Sequence, residues 1–362
     1  MNPDPEILPV AETPAEPGYP PSIEGDRGEL LSGPSSYRDL STLQPGEPLY
    51  QNLQDVGAFV LASKAASTRR AYDSDWRHFC AWCERHNLAS LPARPETVVL
   101  YITDLARPTD GTPPRRSSTI IRKLTSINSM HKNANLDSPA VMSHRALSAT
   151  LAGIRRELGT APAMKRPLTR DRVVKVLDSL EGPIAAARDK ALLLIGFAGA
   201  LRRSELAAIR REHILGHRKG ITIQVPRSKT DQEGKGRTVE ILWGSKEETC
   251  PVLALESWLA VSGIREGYVF RRLGRNGAIG GGLNPNSVGW IIQRLVRQAK
   301  LAHPEEYGGH SLRAGFVTEA SANGATDQQI MKQTGHTAIA MVRRYSRGDQ
   351  QDKQAAEGKL GL

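Results

Sequence analysis

A chain of 362 residues, 39% hydrophobic and 24% charged, is that of a soluble globular protein too long for one ordinary compact domain. No run of about 18 apolar residues is present, which excludes a membrane-spanning helix, and three cysteines are too few for a disulfide scaffold, so a reducing compartment is expected. The formal net charge of +11 is uneven: residues 1–50 hold nine acidic and two basic residues, a local −7, so the remainder carries 11 plus 7, or +18. That excess suits a polyanionic partner, because Lys and Arg on one face displace counterions from nucleic acid.

Residues 1–50 also contain ten of the 23 prolines and few large apolar groups. Such a segment cannot bury enough surface to offset its ordering entropy, and it reads as a disordered acidic tail. Its start, MNPDPEILPV, lacks the basic residues and apolar stretch of a secretory signal, so a cytoplasmic location is expected. From 51 to 158 apolar residues recur at three- and four-residue spacing, which predicts about five helices. The segments are LQDVGAFVLASKA, STRRAYDSDWRHFCAWCERHN, PETVVLYITDLA, SSTIIRKLTSINSMHKNA and SHRALSATLAGIRREL. Ser67 or Thr68 is the expected cap of the second, and Pro95 begins the third. Cys80 and Cys83 within CAWC read as packing between aromatic residues, because no second pair completes a zinc site.

The segment GTAPAMKRPLT, residues 159–169, reads as a linker. Beyond it the pattern is mixed. DRVVKVLDSL and AAARDKALLLIGFAGA are helical, ITIQVPRSK and RTVEILW are two strands joined through TDQEGKG, and CPVLALESWLAVSG is helical again. GRNGAIGGGLNP is expected as a loop, with SVGWIIQRLVRQAK and three further helical stretches beyond it.

Four segments of this second half carry candidate chemistry. GALRRSELAAI (199–209) reads as a helix on which Glu205 shares the face of Arg202. SKTD (228–231) puts Lys229 at a strand end, with Lys235 as a rival in the same hairpin. GGHSLRAGFVTEA (308–320) places His310 and Arg313 three apart at a helix start, where glycines allow close approach. TGHTAIAMVRRYS (334–346) follows a helix for which Asp327 is the expected cap and Gly335 the stop, with His336 in the turn and Tyr345 nine residues later. Each residue alone is more often structural.

In order, Arg202, Lys229, His310-x-x-Arg313, Gly335-His336 and Tyr345 resemble the signature of the tyrosine recombinase (phage integrase) family, over roughly residues 51–350. The first half resembles the core-binding domain of Cre-like members, although the position of His336 is Trp in Cre and His in most of the family. The resemblance implies a mainly α fold with a small β-sheet. A helical, SAM-like core-binding domain spans 51–158, an α+β catalytic domain spans 170–350, and a tail at 351–362 docks into a neighbouring protomer.

It further implies site-specific recombination of double-stranded DNA at inverted repeats, with two subunits on a site and four in the synapse, in a bacterial or phage-encoded, nucleoid-associated protein. Tyr345 would be the nucleophile, with Tyr307 the alternative only if the C-terminal match were misleading, and Arg202, Arg313 and His336 would be the groups on the phosphate. His310 would be the general base, Lys229 the general acid, and Glu205 a support to the cluster. No cofactor or metal is implied. Arg69, Arg70, Arg116, Arg122 and Lys123 would lie on or beside helices facing the DNA. A DNA-binding regulator without catalysis and a type IB topoisomerase-like enzyme are the alternative readings.

Overall fold

The computed structural model describes residues 64–161, 164–226 and 236–343, with a few positions between 44 and 59. The acidic tail up to residue 43, Lys229, Lys235, Tyr345 and the tail at 351–362 lie outside the described residues. The chain divides into two compact units, residues 1–162 and 163–362.

The first unit is helical: α1 (Ala66–Arg85), α2 (Pro95–Ala106), α3 (Ser117–Asn133) and α4 (Arg145–Leu158). Each is amphipathic, and the apolar stripes meet in a core built on Phe79, Trp82, Tyr101, Ile120, Ile127 and Leu147. Cys83 lies in that core and Cys80 at its edge, both as free thiols. Pro95 starts α2 at a position where its missing N–H costs nothing. Neither Ser67 nor Thr68 caps α1: the helix starts earlier, its N-cap is Ala65, and no side chain caps it.

The second unit follows as α5 (Arg170–Asp178), α6 (Pro183–Ala198), the short α7 (Arg203–Ala207), β1 (Ile214–His217), β2 (Gly220–Val225), β3 (Arg237–Leu242) and α8 (Pro251–Ser262). Then come β4 (Arg271–Leu273), β5 (Ile279–Gly282), α9 (Pro285–Gln298), α10 (Gly309–Ala322) and α11 (Asp327–Thr334). The run Ala191–Ile195 of α6 is buried on every side, so α6 is the central helix, with α8 and α10 against it. The three-stranded sheet is antiparallel in the order β1-β2-β3, with Ile221 opposite Ile241 and Ile223 opposite Val239. These apolar pairs face the core and alternate with polar outward residues.

Two strands depart from the sequence expectation. HILGH supplies β1 as an extra edge strand. The glycine-rich stretch contains β5, which pairs with β4 as a small two-stranded sheet.

Candidate active site

The site lies wholly within the second unit and begins where α6 ends. The helix stops at Ala198, and Ala200 adopts φ +47°, so the chain turns before Arg202. The expected continuous helix over 199–209 is therefore broken. Arg202 is the N-cap of α7, and Glu205 reaches back to it: Arg202 N–H donates to Glu205 Oε2 at 2.9 Å, and Arg202 Nη1 donates to Oε1 at 2.7 Å. The carboxylate that closes the first turn of α7 is thus also the partner of the guanidinium. Glu205 is 4% exposed.

Arg313 comes from the second turn of α10 and is 2% exposed. Its Nη1 donates to Ala200 O at 2.8 Å and to Thr334 O at 2.5 Å, which fixes it between the turn before Arg202 and the end of α11. Gly309 permits this approach: a Cβ there would lie 2.7 Å from Arg203 Cβ, so only glycine lets the start of α10 seat against α7. His310 stands exposed in that first turn of α10.

The third contributor is the end of α11. Thr326, not Asp327, caps this helix, because its Oγ1 accepts from Gln329 N–H and the Gln329 side chain accepts in return from Thr326 N–H. Asp327 is the first helical residue and pairs instead with Arg343 Nε at 3.0 Å. Gly335 ends α11 at φ +65°, in the left-handed region that favours glycine, and turns the chain so that His336 is buried beside the arginines. Thr334 Oγ1 donates to Ile330 O at 2.7 Å and lies 2.9 Å from His336 Nδ1. Its single hydroxyl hydrogen is committed, so the imidazole Nδ1–H must donate, and Nε2 is the acceptor nitrogen of the neutral ring.

A third arginine, from β3, completes the group. Arg237 Nη2 donates to Glu205 Oε2 at 2.9 Å, and Nη1 donates to Gln333 O at 2.9 Å. Two guanidinium groups, those of Arg202 and Arg237, thus share one carboxylate, and all three arginines reach carbonyls at or beside the turn at Gly335, where Arg202 Nη2 is 3.5 Å from Gly335 O. Burial alone would raise the Glu205 carboxyl, but Arg237 and then the N–H and guanidinium of Arg202 outweigh it and hold the group below its ordinary value. His336 is pushed down to about 4 by burial first and then by Arg313, Arg202 and Arg237. The ring is neutral near pH 7, and donation from Nε2 to an anion requires uptake of a proton. The cluster bears an excess of positive charge in a partly buried setting, an arrangement suited to a phosphate.

The structure therefore brings Arg202, Glu205, Arg313 and His336 together and adds Arg237, Gln333 and Thr334, to which the motifs gave no role. Tyr307, the alternative nucleophile, is 1% exposed in the core of the unit and reaches no surface. In the first unit Arg70 and Arg116 are exposed, Arg69 is half-buried, and Arg122 is exposed with Nη1 2.7 Å from Asp75 Oδ2. Lys123 corrects the expectation of a DNA-facing residue. It is 6% exposed, with its ammonium 3.4 Å from buried Asp75 and over the Tyr101 ring, because it shares the inward stripe of Ile120, Leu124 and Ile127.

Comparisons with known proteins show the family. Residues 166–352 match the model of the phage integrase family. The chain is 37% identical to the integrase/recombinase xerD homolog of Selenomonas ruminantium, over 78% of this chain and 82% of the relative. It is 27% identical to the recombinase cre of Escherichia phage P1, over 75% and 81%. Among solved structures, the XerH recombinase bound to a palindromic difH substrate in a post-cleavage complex aligns at TM-score 0.53, with 18% identity over 73% of this chain and 72% of that one. A lambda integrase dimer bound to a COC′ core site aligns at 0.52, with 14% identity over 86% and 84%. At those identities the structural likeness concerns the fold.

Proposed function

Because the chain belongs to the phage integrase family and is a site-specific tyrosine recombinase, we propose that it cleaves and rejoins duplex DNA through a covalent bond between Tyr345 and the scissile phosphate. The observation that carries this reading is the convergence of Arg202, Arg313 and His336 on the turn at Gly335, nine to ten residues before Tyr345. In the reaction, the Tyr345 oxygen forms a bond to phosphorus and the bond to the 5′-oxygen breaks, leaving a 3′-phosphotyrosyl link and a 5′-hydroxyl. One phosphodiester replaces another, so rejoining needs no external energy source.

The pentacovalent transition state gathers negative charge on its non-bridging oxygens. Arg202 and Arg313 place forked donors there, which is the form of stabilisation that contributes most to such steps. The arriving phosphate opposes the field of the arginines and raises His336, whose Nε2 then donates as a third partner. His310, exposed one turn from Arg313, takes the phenolic proton, and Lys229 returns a proton to the 5′-oxygen. Glu205 orients Arg202.

The substrate is a duplex with inverted repeats, bound by two subunits per site and four per synapse, with the tail at 351–362 exchanged between protomers. Half-buried Arg69 and exposed Arg70, Arg116 and Arg122 supply phosphate contacts in the first unit. The excess of +18 outside the first 50 residues supports this partner, and the protein acts in the cytoplasm on nucleoid DNA. Among the described residues no helix is long and apolar enough to cross a membrane.

A nicked suicide duplex tests the reading. Wild-type protein is expected to form a covalent complex with its own site and Tyr345→Phe none. Binding without adduct identifies a regulator, and cleavage of arbitrary plasmids by a monomer identifies a topoisomerase.

A further inference from the structure

The family resemblance assigns Arg202, Glu205, Arg313 and His336, but nothing assigns the third guanidinium of the cluster. Arg237 is the first residue of β3, at an inward register of that strand with Val239 and Ile241. Its two terminal nitrogens go to two different places: Nη2 to Glu205 Oε2 and Nη1 to the carbonyl of Gln333, both at 2.9 Å. Gln333 is itself fixed, since its Nε2 donates to Ala198 O and to Glu240 O at 2.9 Å each. A Cβ on Gly335 would lie 3.1 Å from Arg237 Cδ and Nε, so the guanidinium lies directly against the turn that leads to His336.

We propose that Arg237 is a positioning residue for recombination. It shares the Glu205 carboxylate with Arg202, so that Glu205 holds one terminal nitrogen of Arg202 rather than two, and it fixes the turn at Gly335 that presents His336. Without Arg237 the undivided carboxylate charge falls on Arg202. That arginine is then drawn into a two-nitrogen pair with Glu205, competing with the phosphate for the same donors. Arg237 touches neither substrate nor the reacting atoms in this scheme. The inference rests on the proposed phosphate role of Arg202.

The test is single-turnover cleavage at saturating protein, with a nicked duplex carrying the site that the protein selects from a randomised inverted-repeat pool. Arg237→Met is expected to slow cleavage about tenfold or more with DNA affinity within about twofold. Arg237→Lys, which keeps the charge and one bond, falls between Met and wild type and serves if the Met variant does not fold. The discriminating variant is Glu205→Gln placed on Arg237→Met. It keeps an acceptor for the Arg202 N–H but removes the competing charge, so cleavage recovers roughly threefold or more over Arg237→Met alone.

A double variant slower than Arg237→Met, or a loss confined to DNA affinity, overturns the proposal. If the wild-type protein forms no adduct, the recombinase mechanism itself fails. The placement is then read in the free protein by the His336 titration, which Arg237→Met shifts upward. An unchanged titration overturns the placement.

Discussion

The Arg313 guanidinium lies 2.5 Å from the Thr334 carbonyl, and through this bond the second turn of α10 grips the end of α11 one residue before the Gly335 turn. The same nitrogen also holds Ala200 O, so a single side chain sets the separation between the Arg202 turn and the His336 turn. A lysine in its place has one compact ammonium and no planar fork. Arg313→Lys is therefore expected to slow single-turnover cleavage by roughly 10²- to 10³-fold, the scale of losing a transition-state donor. Gel-shift affinity for the duplex is expected to change far less.

Thr334 Oγ1 donates to Ile330 O and accepts from His336 Nδ1, and this sets the imidazole tautomer. Thr334→Val keeps the shape and loses both bonds. Stability is expected to fall by about 1–2 kcal/mol in urea denaturation, since the imidazole N–H is left without its partner. Cleavage at saturating protein is expected to slow as well, because the ring no longer holds one orientation.

His336 gives the free protein an acid-sensitive point. The unfolded imidazole takes up a proton near pH 6.5, whereas the folded one does so near pH 4. Between those values the unfolded state binds more protons, so this group's contribution to stability is present above about pH 6.5 and is lost as pH falls towards 4. The full difference corresponds to roughly 3 kcal/mol. His336→Asn, which can keep the bond to Thr334 without titrating, is expected to flatten the decline in thermal midpoint between about pH 6.5 and 4. In a DNA complex the His336 resonance of the wild type is expected to titrate at higher pH than in the free protein.

Gly309→Ala tests the seating of α10 on α7. The added methyl group would meet Arg203 Cβ at 2.7 Å, and neither backbone can move without shifting His310 or Arg202. Overpacking of this kind costs about 1–3 kcal/mol. The variant is expected to show a lower thermal midpoint and slower cleavage, whereas Gly153→Ala, on an exposed face of α4 with open space around it, is expected to leave cleavage unchanged and to raise the midpoint slightly, because alanine is the better helix former.

Local patterns in the sequence made the helical first unit, the β2–β3 hairpin and the order of charged motifs readable. The break before Arg202 was not, because Ala-Gly-Ala reads as a continuing helix and the positive φ of Ala200 arises from tertiary packing that overrides alanine's preference. Strands β1 and β5 were hidden by brevity and by glycine, which has low strand propensity. The inward turn of Lys123 was legible in principle: it lies three residues after Ile120 and one before Leu124, on the apolar stripe of α3. Arg237 had a similar signal, a charge at an inward position of a strand. Its partners, however, are 32 and 96 residues away, and only the folded chain brings them together.

Mass-spectrometric mapping of the protein–DNA adduct is the most direct test of the central claim. Wild-type protein, trapped on a nicked duplex carrying its selected site and digested, is expected to yield a nucleotide linked to the phenolic oxygen of Tyr345 through a 3′-phosphate. An adduct at Tyr307 or any other residue, or a 5′-phosphate link, would contradict the mechanism.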